Sequence, residues 1–116
     1  IMAQRLVRRI CENCKDVEKV PAEALTDNGL PGDTEVFKGA GCDMCGNTGY
    51  RGRQGLFEVM PITPTIREMI LDRASTPEIN EKAIEEGMLT LRMDGMLKVK
   101  KGITTLEEVV KETAAG

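Results

Sequence analysis

The sequence predicts an α+β fold: a small tetracysteine metal-knuckle unit with a β-hairpin-like pair of strands, followed by a mainly helical C-terminal bundle. Three observations predict it. All four cysteines of the 116-residue chain fall in its first half, as two Cys-x-x-Cys pairs. Residues 39–55 hold six glycines among seventeen positions, too many for a regular element, and short β-patterned runs flank them. Beyond residue 60 cysteine is absent, and apolar residues recur at helical spacing behind recognisable start signals. The stretch Pro61-Ile62-Thr63-Pro64 marks the boundary, so residues 11–60 read as a metal-binding subdomain and residues 61–116 as a helical one.

Residues 1–10 set Leu6, Val7 and Ile10 against Arg5, Arg8 and Arg9, the pattern of a short amphipathic helix. It opens without a start signal, as if an element had been cut. Pro21-Ala22-Glu23-Ala24-Leu25 follows, a short helix with proline in its first turn and a stop at Asn28-Gly29. Residues 34–38 alternate and read as a strand, and residues 55–60 read as a second, on the other side of the cysteine-bearing loop. Thr63-Pro64 and Thr76-Pro77 each place an N-cap threonine before a first-turn proline. Thr104 and Thr105, three residues ahead of Glu107 and Glu108, offer two overlapping capping boxes. Ile66, Met69 and Ile70, then Ile79, Ala83 and Ile84, then Leu106, Val109 and Val110 supply the apolar faces. Leu91, Met93 and Leu97 support a further helix over residues 91–100, weakened by Gly95.

Composition narrows the chemistry. With no histidine and Ser75 as the one serine, a Ser-His-Asp triad, a Cys-His pair and every histidine-containing metal site are impossible within this chain. A net charge of −3 and 3% aromatic residues argue against a nucleic-acid binder. No apolar run approaches the roughly 20 residues of a membrane span, and no charged-then-apolar leader opens the chain, which reads as soluble and unexported.

The specific signal is Cys11-Glu12-Asn13-Cys14, twenty-seven intervening residues, then Cys42-Asp43-Met44-Cys45. Two intervening residues let a tight turn present both sulfurs to one ion at about 2.3 Å, and two such turns complete a tetrahedron. Four thiolates close the coordination sphere, so the expected site, Cys11, Cys14, Cys42 and Cys45, is structural and not catalytic. Gly46 suits a knuckle that needs positive φ. Disulfides fit poorly in a reducing compartment, and a thioredoxin-like redox pair lacks its βαβ setting. Iron is as compatible with four thiolates as zinc. Residues 11–60 hold few large apolar side chains, chiefly Val36, Phe37, Leu56 and Phe57, so an ion would supply the missing folding energy.

The run from Cys42 through Gly49-Tyr50-Arg51-Gly52-Arg53 to Glu58 resembles the tetracysteine segment of the secretion ATPases that assemble type IV pili and type II secretion pseudopili in bacteria. Ala3-Gln4-Arg5-Leu6-Val7-Arg8 looks like the end of that family's ATPase core, making residues 1–10 its tail. Gly102-Ile103-Thr104-Thr105-Leu106-Glu107-Glu108-Val109 looks like its C-terminal helices. The resemblance implies a C-terminal piece of a cytoplasmic, homo-hexameric motor ATPase, peripheral to the inner membrane through platform proteins, with zinc in the cysteine loop. It implies no nucleic-acid partner and no direct membrane insertion. ATP and magnesium belong to parts of such a protein missing here. No Gly-x-x-x-x-Gly-Lys-Ser/Thr loop is present, so no residue is assigned a catalytic or nucleotide-binding role.

The alternative reading is a free-standing zinc ribbon that binds nucleic acid or protein. Arg51 and Arg53, with Arg5, Arg8 and Arg9, form the one basic concentration, read as solvated turn and helix faces or as neighbours of the metal knuckle or of an adjoining subunit. Met88, Met93 and Met96 read as core filling or as an adaptable partner surface.

Overall fold

A computed structural model of the chain describes residues 2–114. Residues 1–10 do not form the helix that their apolar spacing predicts. Met2–Ile10 is strand β1, paired antiparallel with strand β4, Tyr50–Val59, from Met2↔Val59 to Ile10↔Tyr50; Ile1 lies outside the described residues. An uncapped helix of ten residues is marginal, whereas in a strand pair each backbone group can find a partner. The helix-like spacing of buried Val7 and Ile10 comes from an irregular ladder. The register shifts between Arg8 and Ile10, so strict alternation does not run through, and Gly52 on the opposite strand takes φ +88°.

The strands predicted on either side of the cysteine loop are both present, but they do not pair with each other. Strand β3, Val36–Gly39, pairs with strand β2, Lys15–Glu18, and β4 pairs with β1, giving two two-stranded ribbons. The reason lies in where the cysteines fall. The β2–β3 ribbon begins at Lys15↔Gly39, just past Cys14 and just before Cys42, and the β1–β4 ribbon ends at Ile10↔Tyr50, just before Cys11. Both cysteine pairs therefore meet where the two ribbons abut. Between β2 and β3 runs the short helix α1, Ala22–Thr26, with Gly29 at φ +82° beyond it.

Among the described residues four helices follow: α2 (Pro64–Leu71), α3 (Thr76–Glu85), α4 (Leu91–Lys100) and α5 (Leu106–Thr113). Each start is capped by a hydroxyl that accepts an amide three residues on: Thr63 from Ile66, Ser75 from Glu78, Thr90 from Met93 and Thr105 from Glu108. Ser75, not Thr76, is thus the cap of α3, which moves Pro77 to the second helical position, where its missing N–H still breaks no intrahelical bond. Thr104 caps nothing and instead donates its hydroxyl to the Arg8 carbonyl.

Among the described residues burial is divided among three clusters along a molecule 55 × 27 × 20 Å in extent. Val7, Leu56 and Leu91 join the long ribbon to α4. Leu25, Leu30 and Val36 pack with Met96, Val99, Leu106 and Val109. Met60, Ile66, Ala83 and Met88 form a third group around α2 and α3. Met88 and Met96 are thereby core filling, while Met93 stays partly exposed. Gly95 sits in α4 because a Cβ there would run into the Val109 side chain and come within 3.2 Å of Leu56, so close packing of α4 on α5 and β4 requires its absence.

Polar contacts fasten the helices to the long ribbon. The Phe57 amide on β4 donates to Asp94 at 3.0 Å, and the Leu91 amide at the start of α4 donates to Glu58 at 3.0 Å. The free edge of β1 is covered by the α4–α5 turn: Ile10 N–H donates to the Ile103 carbonyl at 2.8 Å, and Arg8 N–H to Glu108 at 3.0 Å.

Candidate metal centre

Cys11 follows β1 directly, and Cys14 closes a turn into β2. Cys42 precedes a single 3₁₀ turn, Asp43–Cys45, and Cys45 ends it. Left-handed backbone at Gly46 (φ +65°) and Asn47 (φ +63°) then reverses the chain, a conformation that Gly adopts at no cost and Asn at little. Gly39 and Gly49 touch backbone to backbone, and a Cβ on Gly39 would land on the Gly49 main chain. That approach draws the second knuckle against the first.

The four predicted sulfurs are brought together, all within 4.8 Å of one another. Cys11 and Cys42 Sγ are 3.7 Å apart, Cys14 and Cys45 3.8 Å, and Cys42 and Cys45 3.7 Å. These three separations match the edge expected of a tetrahedral site, since sulfurs at about 2.3 Å from a tetrahedral ion stand about 3.8 Å apart. They are far from the roughly 2.05 Å of a disulfide, and all four cysteines are free. Cys11 is buried and the other three partly so.

Backbone amides point at the sulfurs. Gly41 donates to Cys14 Sγ at 3.3 Å, Cys42 to Cys45 Sγ at 3.3 Å and Gly49 to Cys45 Sγ at 3.2 Å. Burial opposes ionisation of Cys45, but the Cys42 and Gly49 amides outweigh it and bring the thiol down to about 6. Cys14 moves the other way, up to about 11, because burial dominates and the Gly41 amide compensates only in part. Cys42 is lowered, first by a hydrogen bond from Asn13. A partly buried, amide-lined set of four soft donors suits a thiophilic divalent cation held structurally.

A second cluster abuts the site, and sequence reasoning missed it. Tyr50, next to Gly49, shares a hydrogen bond with Thr105 at 2.9 Å, and its ring lies 4.0 Å beneath the Arg8 guanidinium. Arg8 donates to Glu108 Oε1 at 3.1 and 2.7 Å, on top of its backbone bond. Glu108 is 4% exposed at its side chain; burial pushes its pKa up, yet the Arg8 bonds win and hold the carboxyl below its ordinary range. The sequence signal was present but ambiguous, because a glutamate three residues after a threonine reads as half of a capping box. Of the other arginines, Arg9 meets Gln54, while Arg51 and Arg53 are exposed and their side chains make no hydrogen bond or ion pair among the described residues.

The family model for type II/IV secretion system proteins matches residues 1–111 of this chain. The type IV pilus assembly ATPase PilB of Myxococcus xanthus is 44% identical over 119 aligned positions, covering 98% of this chain and 21% of that protein. The type IV pilus assembly ATPase PilB of Thermus thermophilus is 45% identical, over 97% of this chain and 13% of its own length. Type II secretion system protein E of Dickeya dadantii is 37% identical, over 97% and 22%. The chain thus spans about a fifth or less of the length of these relatives.

Proposed function

The chain belongs to the type II/IV secretion system protein family, and from that premise we propose that it is the metal-bearing and helical module of a motor ATPase that assembles pili or drives type II secretion. The observation that carries the reading is the set of sulfur separations, 3.7 and 3.8 Å, spanning both Cys-x-x-Cys pairs. Cys11, Cys14, Cys42 and Cys45 hold the ion, and zinc is the ion proposed. Bound there, zinc supplies cross-links between two knuckles that burial alone does not hold.

The role is mechanical and not chemical. The module carries no phosphate-binding loop, so ATP and magnesium are bound by other parts of such an ATPase. The ribbons and helices give shape to a subunit of a homo-hexamer and relay motion toward inner-membrane platform proteins, with the protein cytoplasmic and peripheral to that membrane. No helix among the described residues is long and apolar enough to cross a membrane.

A cobalt titration tests the site. One ion per chain, with the intense sulfur-to-cobalt absorption of four thiolates, is the expected result; weak absorption or no saturation would contradict it. Incubated with magnesium and ATP, the chain alone should release phosphate no faster than buffer, and measurable turnover would overturn the division of labour.

A further inference from the structure

We propose that Glu108, acting through Arg8 and Tyr50, is a positioning residue that makes metal binding and the docking of α5 depend on each other. The proposal rests on the reading that the cysteine cluster holds a metal.

Two short paths run from the sulfurs to the first turn of α5. The first passes through Gly49. Its N–H donates to Cys45 Sγ at 3.2 Å, its carbonyl accepts from the Cys11 amide at 3.0 Å, and the Gly39 main chain blocks any side chain there. Both knuckles therefore fix where Gly49 stands, and with it Tyr50. Tyr50 in turn bonds the hydroxyl of Thr105, the cap of α5, and supports the Arg8 guanidinium from below. The second path passes through Ile10, the neighbour of Cys11, whose N–H is bound by the Ile103 carbonyl. Arg8, two residues earlier, gives Glu108 three N–H bonds and accepts one from Thr104 through its carbonyl.

The energetics make the cluster a coupling element and not a passive brace. Glu108 keeps its charge in a nearly closed environment only while Arg8 holds that geometry, because a buried carboxylate stripped of its donors is costly. When the ion leaves, the knuckles lose the link that positions Gly49 and the end of the β1–β4 ribbon. Tyr50 and Arg8 then shift, and Glu108 regains solvent by lifting the first turn of α5. Linkage is reciprocal: whatever metal binding contributes to α5 docking, α5 docking contributes to metal affinity.

The test uses the whole chain, zinc as the probe, and the variants Glu108→Gln and Tyr50→Phe. Amide exchange of residues 106–113 is followed before and after chelation, with α2 and α3 as internal control. Zinc affinity is measured by competition with a chromophoric chelator. In the native chain chelation is expected to speed α5 exchange about tenfold, within the usual range of coupling between sites, and to leave α2 and α3 alone. Glu108→Gln is expected to weaken zinc binding by a similar factor while the cobalt band stays at its native wavelength, and to leave α5 exchange insensitive to chelation. Tyr50→Phe, which keeps the ring and the ion pair, gives a smaller loss in the same direction and carries the test should the glutamine variant fail to fold. Exchange in α5 that ignores chelation, a rise shared equally by α2 and α3, or zinc affinity unmoved by both variants would overturn the coupling while leaving the metal site standing. Failure to bind zinc or cobalt at all would overturn the site itself.

Discussion

The cysteine loop and the α2–α3 pair are held by opposite means. Around α2 and α3, Met60, Ile66, Ala83 and Met88 are buried, Thr63 and Ser75 cap the helices, and Thr63 reaches Glu86 at 2.8 Å. In the loop no residue from 40 to 48 is buried, and order comes from amides aimed at sulfur, positive-φ turns and a glycine–glycine contact. The difference teaches that the same chain relies on burial where side chains are large and, on the function proposed above, on a chelated ion where they are small. The helix α5 stands between the two, anchored in an apolar cluster through Val109 and to the loop's border through Glu108.

The sharpest way to break this contrast is Cys42→Ser. With a ligand gone, the metal contribution to folding, on the order of 10 kcal/mol in small zinc peptides, is lost from the loop. Limited proteolysis should then cut within residues 40–49 and spare residues 64–85. Cutting in α2 or α3 at the same rate would show that the two regions share one support.

Ile66→Ala strikes the opposite pole. Ile66 is fully buried among methionines, so its truncation should cost about 2–5 kcal/mol in denaturant unfolding while zinc affinity stays unchanged. Next in size is Gly95→Ala, where overpacking against Val109 should cost about 1–3 kcal/mol despite a gain of about 1 kcal/mol in helix propensity. A stabilised variant would mean that α4 and α5 have room to separate.

The smallest effect is confined to acid. Glu108 titrates below its ordinary value of 4.5, so its contribution is fully present above that pH and is lost as pH falls through the depressed folded value. Native protein should therefore show a falling melting temperature below about pH 4.5 that Glu108→Gln lacks at this group. Identical acid limbs in both proteins would remove Glu108 from the account of α5 docking.

Much of this contrast was readable from the residues. The four clustered cysteines, the short α1 helix and the helical second half follow from spacing and caps, because a Cys-x-x-Cys turn and a hydroxyl N-cap are local chemistry. What stayed hidden was nonlocal. Val7 and Ile10 imitate a helix because an irregular ladder, set by Gly52 on another strand, suspends their alternation. The pairing of β1 with β4 and of β2 with β3 depends on where the cysteines draw the chain together, which neither strand encodes alone. Glu108 reads as part of a cap, and only its meeting with Arg8, one hundred residues away, gives it another partner. Thr76 was displaced by one position because Ser75 offers the same hydroxyl one residue sooner.

The central claim is that a bound ion, and not burial, holds the cysteine loop. Its most direct test is zinc content per chain in protein purified without added metal, with thiols titrated before and after chelation. The account predicts one zinc per chain and four thiols that become reactive only once the chelator has removed it. Metal-free protein with four freely reactive thiols and a loop still resistant to protease would contradict it.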